Sequence, residues 1–247
     1  MTAQTILFLA LGAAAGGFIN GLAGTGTALF ALGFYLLVLD PLTAVAIVAT
    51  MSALTGLQGL WVVRQAIFAN IPRLLRFLVP GVIGVPLGVM LLASIDARTL
   101  RLAISGMLIF YGVYFGFRAA LPAFERRTPV WDGLIGFVGG VGGGAASVSG
   151  AIPAMWLSLR PWPKGEVRAV LQPYNFVLLG MTAGLLAWNG AFDAQALTAL
   201  AVTVPAGLAV AQVGIFTFRR LSDTGFRRLL ILLCLAMGIG ILVQELL

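Results

Sequence analysis

Between residues 42 and 63, again between 169 and 188, and again between 194 and 218, the chain runs without a single charged side chain. About 20 apolar residues wound into a helix match the thickness of a bilayer's hydrocarbon layer. Three further stretches, 74–93, 100–117 and 226–246, have nearly the same character. In hydrocarbon every backbone N–H and C=O must be bonded within the protein, so such runs are expected to be helices. The expected fold class is an all-α integral membrane protein.

Composition closes off most alternatives. Of 247 residues, 60% are hydrophobic and 9% are charged, against about 25% charged in soluble domains. There is one cysteine, Cys234, and no histidine. An intrachain disulfide, a Cys/His metal site and imidazole acid–base chemistry are therefore excluded. No cofactor and no metal are expected, and Cys234, inside an apolar run, reads as packing. The net charge is +7, but the arginines sit in short clusters between apolar runs. That is the pattern of cytoplasmic loops, not of a nucleic-acid surface. The expected partners are a lipid bilayer and a small anionic substrate, with no nucleic acid, and the arrangement is compatible with a homodimer. The first 20 residues contain no Lys or Arg, so they lack the charged start of a cleaved signal peptide.

Four basic clusters orient the chain: Arg64, Arg73 and Arg76; Arg118, Arg126 and Arg127; Arg160, Lys164 and Arg168; and Arg219, Arg220, Arg227 and Arg228. All four are expected to be cytoplasmic. The connection 188–193 and the C-terminus carry no base and should face outward. Alternation also places 96–101 outside, with Asp96 partly offsetting Arg98 and Arg101.

Two apolar regions, 6–39 and 130–159, do not read as ordinary spans. The first is interrupted by Asn20-Gly21-Leu22-Ala23-Gly24-Thr25-Gly26-Thr27. The second is interrupted by Gly139-Gly140-Val141-Gly142-Gly143-Gly144 and the following residues to Gly150. Glycine is about 1 kcal/mol worse than alanine in a helix, so each region is expected to be two shorter helices about an irregular turn. The chain between Arg127 and Arg160 begins and ends inside, so it must enter and return as a hairpin. If the first region does likewise, each half is a hairpin followed by three spans, and the second half is inverted. Gly17-Phe18, Gly21 and Gly24 match Gly136-Phe137, Gly140 and Gly143 at a constant offset of 119. Paired interrupted segments with weak internal symmetry mark inverted-repeat transporters. The expected division is a first repeat at 1–120, a cytoplasmic linker at 121–129 and a second repeat at 130–247.

Irregular backbone at membrane depth must line a cavity or be buried in protein. Glycine lets N–H groups approach a ligand, and helices starting near Ala28 and Ala151 would point partial positive charge at it. That geometry suits an anion. The candidate residues are Gly24, Thr25, Gly26 and Thr27 in the first region, and Gly143, Gly144, Ser147 and Ser149 in the second. For any single glycine, tight packing is the plainer explanation. Gln172, Tyr174 and Asn175, around Pro173, add donors at a depth where polar groups are expensive. Ser52 holds the corresponding place in the first half, in company with Thr50, Thr55 and Gln58. Interhelical hydrogen bonding is the competing explanation for these. Asn175 and Ser52 are the preferred pair. Lys164 and Arg168 read first as topology signals. No basic or acidic residue is expected mid-span, so an anion would be held by neutral donors, and the coupling ion, proton or sodium, is unspecified. An enzyme is not expected, because the residues for the commonest chemistries are missing. The residues favour a secondary transporter; the alternative is an anion channel whose pore is lined by the two glycine hairpins.

The segment from Gly17 to Gly26 and the segment from Gly136 to Gly144 resemble the repeated glycine motif of the TauE/SafE sulfite exporter family, also called the toluene-sulfonate uptake permease family. Pro153, nine residues after Gly144, is similar to the proline that follows that motif. The first copy departs from the second in having Thr25 in place of Gly144 and Phe34 near the proline position. The resemblance implies transport of sulfur-containing anions such as sulfite, sulfonates or sulfoacetate; the expected location is a bacterial inner membrane, where the charge pattern puts both termini on the periplasmic side. It leaves the choice of anion and the direction of transport open.

Overall fold

The computed structural model describes residues 1–94, 97–116 and 124–246, and their regular structure is entirely helical. The helices are α1 (Ala3–Ala23), α2 (Thr27–Tyr35), α3 (Pro41–Ala69), α4 (Ile71–Ser94), α5 (Ala97–Gly116), α6 (Pro129–Ala146), α7 (Ala151–Ser158), α8 (Lys164–Trp188), α9 (Ala194–Arg220) and α10 (Asp223–Leu246). Six stretches are long and apolar enough to cross a membrane: Ala3–Ala23, Leu42–Ala69, Ile71–Leu91, Lys164–Trp188, Ala194–Arg220 and Asp223–Leu246. The exterior carries large apolar side chains such as Trp61, Phe68, Ile83, Met90 and Phe110, while Asn20, Ser52, Gln172 and Asn175 are buried. This is a multi-pass α-helical membrane protein, apolar outside and polar within.

Helices α3 and α8 pack together, α1 lies along α9, α4 along α6, and α5 along α10. Glycine makes the second and third of these contacts. A Cβ on Gly17 or Gly21 of α1 would collide with the backbone of Gly207 or Ala211 of α9. One on Gly136 or Gly140 of α6 would collide with Phe77 or Gly81 of α4. Small residues of this kind let membrane helices meet backbone to backbone. The packing corrects one expectation. The run from Gly139 to Gly144 is not a turn: α6 continues through it to Ala146, because close interhelical contact offsets glycine's weak helix preference. The breaks come later, at Gly24-Thr25-Gly26 and at Ser147-Val148-Ser149-Gly150. Helix α1 is also longer than the short helix expected there, 21 residues or about 31 Å.

The end of α2 lies against the middle of α1, where a Cβ on Gly12 would sit 2.6 Å from the Tyr35 ring. Likewise, Asp132 in the first turn of α6 pairs with Arg160, just past α7, at 3.2 Å. Arg160 also donates to the carbonyls of Phe124 and Arg126, at 3.1 and 2.6 Å. Arg73 pairs with Glu166, Lys164 Nζ donates to the Phe218 carbonyl at 2.9 Å, and Arg227 Nε donates to the Ser158 carbonyl at 2.9 Å. The basic clusters thus gather at one end of the bundle. At the other end Arg98 donates to the Glu245 carbonyl at 3.0 Å, which gives that arginine a partner beyond the one expected in Asp96. Asp96, Arg118 and Phe117 lie outside the described residues. Asp40 caps α3, and hydrogen bonds from Thr43 hold its carboxyl below the ordinary carboxylate range. Cys234 packs in an apolar cluster with Leu108, Tyr111 and Ile231.

Candidate functional site

Each break has a local cause. Helix α1 closes on Gly24 at φ 76°, whose N–H bonds the Asn20 carbonyl at 2.8 Å; a left-handed glycine is a common helix stop. Gly26 is left-handed too, at φ 92°, and α2 starts at the next residue. Helix α6 closes on Ser147 at φ 55°, whose N–H bonds the Gly143 carbonyl at 2.9 Å, and α7 starts after Gly150. Counted back from the two helix starts, Gly26 corresponds to Gly150 and Thr25 to Ser149. The matched glycines, Gly24 and Gly143, do not occupy equivalent places in the breaks.

The two breaks meet. A Cβ on Gly150 would overlap the Thr25 hydroxyl, and would lie 2.7 Å from both polar atoms of the Asn175 amide. Asn175 ties the breaks together: its Nδ2 donates to the Gly24 carbonyl at 2.8 Å, and its Oδ1 accepts from Ser149 Oγ at 2.6 Å. Across from it, Asn20 Nδ2 donates to the Ser52 carbonyl at 2.9 Å and to Thr55 Oγ1 at 2.7 Å. Ser52 Oγ is buried and has no partner among the described residues. Asn175 and Ser52 are each the twelfth residue of their helices, of 25 in α8 and 29 in α3. The meeting point is therefore near the middle of both long helices.

A small enclosed cavity lies here, with a free volume of about 10 Å³, roughly the room one water needs. Gly24, Thr25, Gly26, Thr27, Ser52, Ser147, Ser149 and Asn175 all line it, as do Asn20, Val148 and Gly150. No charged side chain does. The first turns of α2 and α7 face it with N–H groups that have no intrahelical partner.

The other expected residues lie elsewhere. Gly143 is one turn back in α6, and Gly144 packs against Val85 of α4. Tyr174 turns away and donates to the Gly136 carbonyl at 2.6 Å. Gln172 sits nearer the basic end and supports the cavity wall from behind, its Nε2 donating to Asn20 Oδ1 at 3.3 Å and to the Gly56 carbonyl at 3.2 Å. Asn20 and Gly150 belong to the cavity but were not among the expected site residues. Asn20 carried a readable signal, an amide inside a 21-residue apolar helix. Gly150 carried none beyond its place before α7. Two ionisable residues are buried near helix starts, although none lies mid-span there. Helix α8 begins at Lys164, so Arg168 is inside it and fully buried. Asp132 is likewise buried inside α6.

Long apolar helices, an apolar outer surface and two helix breaks that meet around neutral donors define a polytopic membrane protein with a buried polar site. Residues 8–241 match the family described as sulfite exporter TauE/SafE, and the chain belongs to that family. It is a family of membrane transporters. No curated protein matches the chain.

Proposed function

We propose that the chain is a secondary transporter of small sulfur-containing anions (sulfite, sulfonates or sulfoacetate), working by alternating access about the cavity between the two helix breaks. The observation that carries this reading is the convergence of two helix N-termini and a set of neutral donors on one buried point. A helix end supplies about half a positive charge, worth about 0.3–2 kcal/mol. A hydrogen bond to a charged group contributes about 1.5–3 kcal/mol. Two ends and a few such bonds reach the roughly 4–8 kcal/mol of millimolar to micromolar binding. Weak binding suits a carrier, which must release its cargo. The cavity of about 10 Å³ is too small for an oxyanion, so binding must separate the breaks. A closed site that opens to admit substrate favours a carrier over a continuous pore.

We further propose that the halves are inverted repeats, each a re-entrant hairpin plus three spans. One set of contacts supports this. Gly214 of α9 abuts Phe18, Gly21 and Leu22 of α1, while Gly84 of α4 abuts Phe137, Gly140 and Val141 of α6. Those two triplets share the offset of 119 seen in the glycine motif. Helices α1 and α6 also start from opposite ends of the bundle. With the basic end cytoplasmic, in a bacterial inner membrane, both termini are periplasmic. Cysteines at Thr2, Gln195 and Lys164, in a Cys234→Ala background, test the orientation; labelling of Thr2 only from the cytoplasm would contradict it. The function is tested by counterflow of sulfite and sulfoacetate in proteoliposomes. Saturable uptake driven by unlabelled anion on the far side is expected. Flux that neither saturates nor responds to the far side would instead identify a channel.

A further inference from the structure

Arg168 has no solvent exposure at all. Its Nε donates to Gln172 Oε1 at 3.1 Å, but neither of its two terminal nitrogens has a hydrogen-bond partner among the described residues. The guanidinium lies 4.4 Å from the centre of the Phe218 ring of α9. It also presses on α3, where a Cβ on Gly59 would sit 2.8 Å from a terminal nitrogen. The neighbouring charges are repulsive: Arg219 on α9, and Lys164, whose Nζ sits 5.1 Å from the centre of the same ring. Glu166 is paired with Arg73. Arg160 shows the usual treatment of a buried arginine, with a carboxylate and two carbonyls around it. Arg168 has none of these. A buried cation without a counter-charge is strongly unfavourable, unless a counter-ion visits it.

Its position supplies the visitor. Arg168 lies seven residues from Asn175 along α8, about 10 Å toward the basic end. A polar strip joins it to the cavity: Arg168 to Gln172, and Gln172 to Asn20 in the cavity wall. A groove of about 650 Å³ opens between α3 and α9, its walls mostly apolar (Leu57, Trp61, Phe216) but carrying Gln58, Gln212 and Arg219. Gln58 Oε1 is buried without a partner among the described residues, and α3 leaves regular helix at Val63 (φ −109°, ψ 15°).

We infer that Arg168 is a second anion-binding station, on the route between the central cavity and the basic end, where its two terminal nitrogens receive the oxyanion as the seam between α3 and α9 opens. A planar guanidinium offers paired donors that match the oxygens of a sulfur oxyanion. The inference rests on the proposed carrier function, and it adds a charged station to a path whose central cavity is neutral.

The test is sulfoacetate counterflow by the full chain in proteoliposomes, since the charge of that anion is constant above neutral pH. Arg168→Met should keep the thermal stability of the wild type, because an unpaired buried cation is replaced by an apolar chain. Its exchange should nevertheless fall at least twentyfold. Arg168→Lys should stay within fivefold of wild type at neutral pH. Its exchange should then decline as pH rises, because a lysine side chain can lose its proton where a guanidinium keeps its charge, while the wild type holds level. A Met variant that exchanges like the wild type would overturn the assignment, and so would a Lys variant with the wild-type pH profile. If the Met variant does not fold, the pH profile of the Lys variant decides alone. A wild type that exchanges no sulfur anion would instead remove the carrier function itself, and this inference with it.

Discussion

The first helix break turns on two left-handed glycines, Gly24 at φ 76° and Gly26 at φ 92°, whereas the second turns on Ser147 at φ 55° with no left-handed glycine. A residue with a Cβ pays about 1–2 kcal/mol in that conformation. Ser147 recovers part of it through its N–H bond to Gly143 and a hydrogen bond from its Oγ to the Val45 carbonyl at 3.3 Å. The glycine of the second break, Gly150, has an ordinary φ of −92°. It is glycine because Thr25 and the Asn175 amide occupy the space a Cβ would need. Glycine thus serves conformation in one break and contact in the other. Two breaks that meet at one point are built differently, which is why a matched glycine motif does not mark matched positions in the site.

The largest effect should follow from filling the point where the breaks touch. Gly150→Val should abolish sulfite counterflow, and Gly150→Ala should lose most of it. Thr25→Gly should restore much of the activity of Gly150→Ala by vacating the contested space. Failure of that rescue would show that Thr25 is not what makes Gly150 glycine, and would leave the Asn175 amide, 2.7 Å from the added Cβ, as the obstructing group.

A smaller difference should separate Gly24 from Gly143. Gly24→Ala forces a left-handed alanine at about 1–2 kcal/mol, which should lower the melting temperature by about 3–6 °C. Gly143 is helical, and its added Cβ would meet the Ser149 Cβ at 2.9 Å. There the gain in helix preference, about 1 kcal/mol, opposes a tight contact. Thermal unfolding of Gly143→Ala should therefore stay within about 2 °C of wild type. A larger loss at Gly143 than at Gly24 would reverse the comparison.

Smallest in its effect on stability is Ser52→Ala. Its Oγ has no partner to lose among the described residues, so stability should not fall. Sulfite affinity should weaken at least tenfold, as expected for the about 1.5–3 kcal/mol of one hydrogen bond to a charged group. A stability loss without an affinity change would show that the hydroxyl is structural.

Much of this was legible before the helices were seen. The expected spans 42–63, 169–188, 194–218 and 226–246 fall within helices long and apolar enough to cross a membrane, whereas 100–117 is not among those helices and α1, expected as one arm of a hairpin, is; arginine spacing placed four clusters on one side, where Arg73, Arg160, Lys164 and Arg227 are found together. Ser52, Asn175 and the hydroxyls near the breaks were readable because polar groups in apolar helices require partners. The run from Gly139 to Gly144 misled because helix preference is a local property, and contact with α4 overrides it. Tyr174 and Gln172 lie on the same helix as Asn175 but face other neighbours, and their spacing alone did not say which. Arg168 was masked by its neighbours: within a basic cluster at a helix start it looks like a topology signal, and only burial distinguishes it.

The central claim is that neutral donors near the middle of α3 and α8, and not the arginines of the basic rim, hold the anion. Calorimetric titration of sulfite into detergent-purified protein tests it most directly. Asn175→Ala removes the amide that joins Gly24 to Ser149 and should weaken binding at least tenfold, equivalent to about 1.4 kcal/mol. Arg219→Ala should leave binding within about twofold, since an exposed rim charge contributes little to a buried site. An unaffected Asn175→Ala beside an Arg219→Ala that no longer binds would contradict the account and place the anion at the rim.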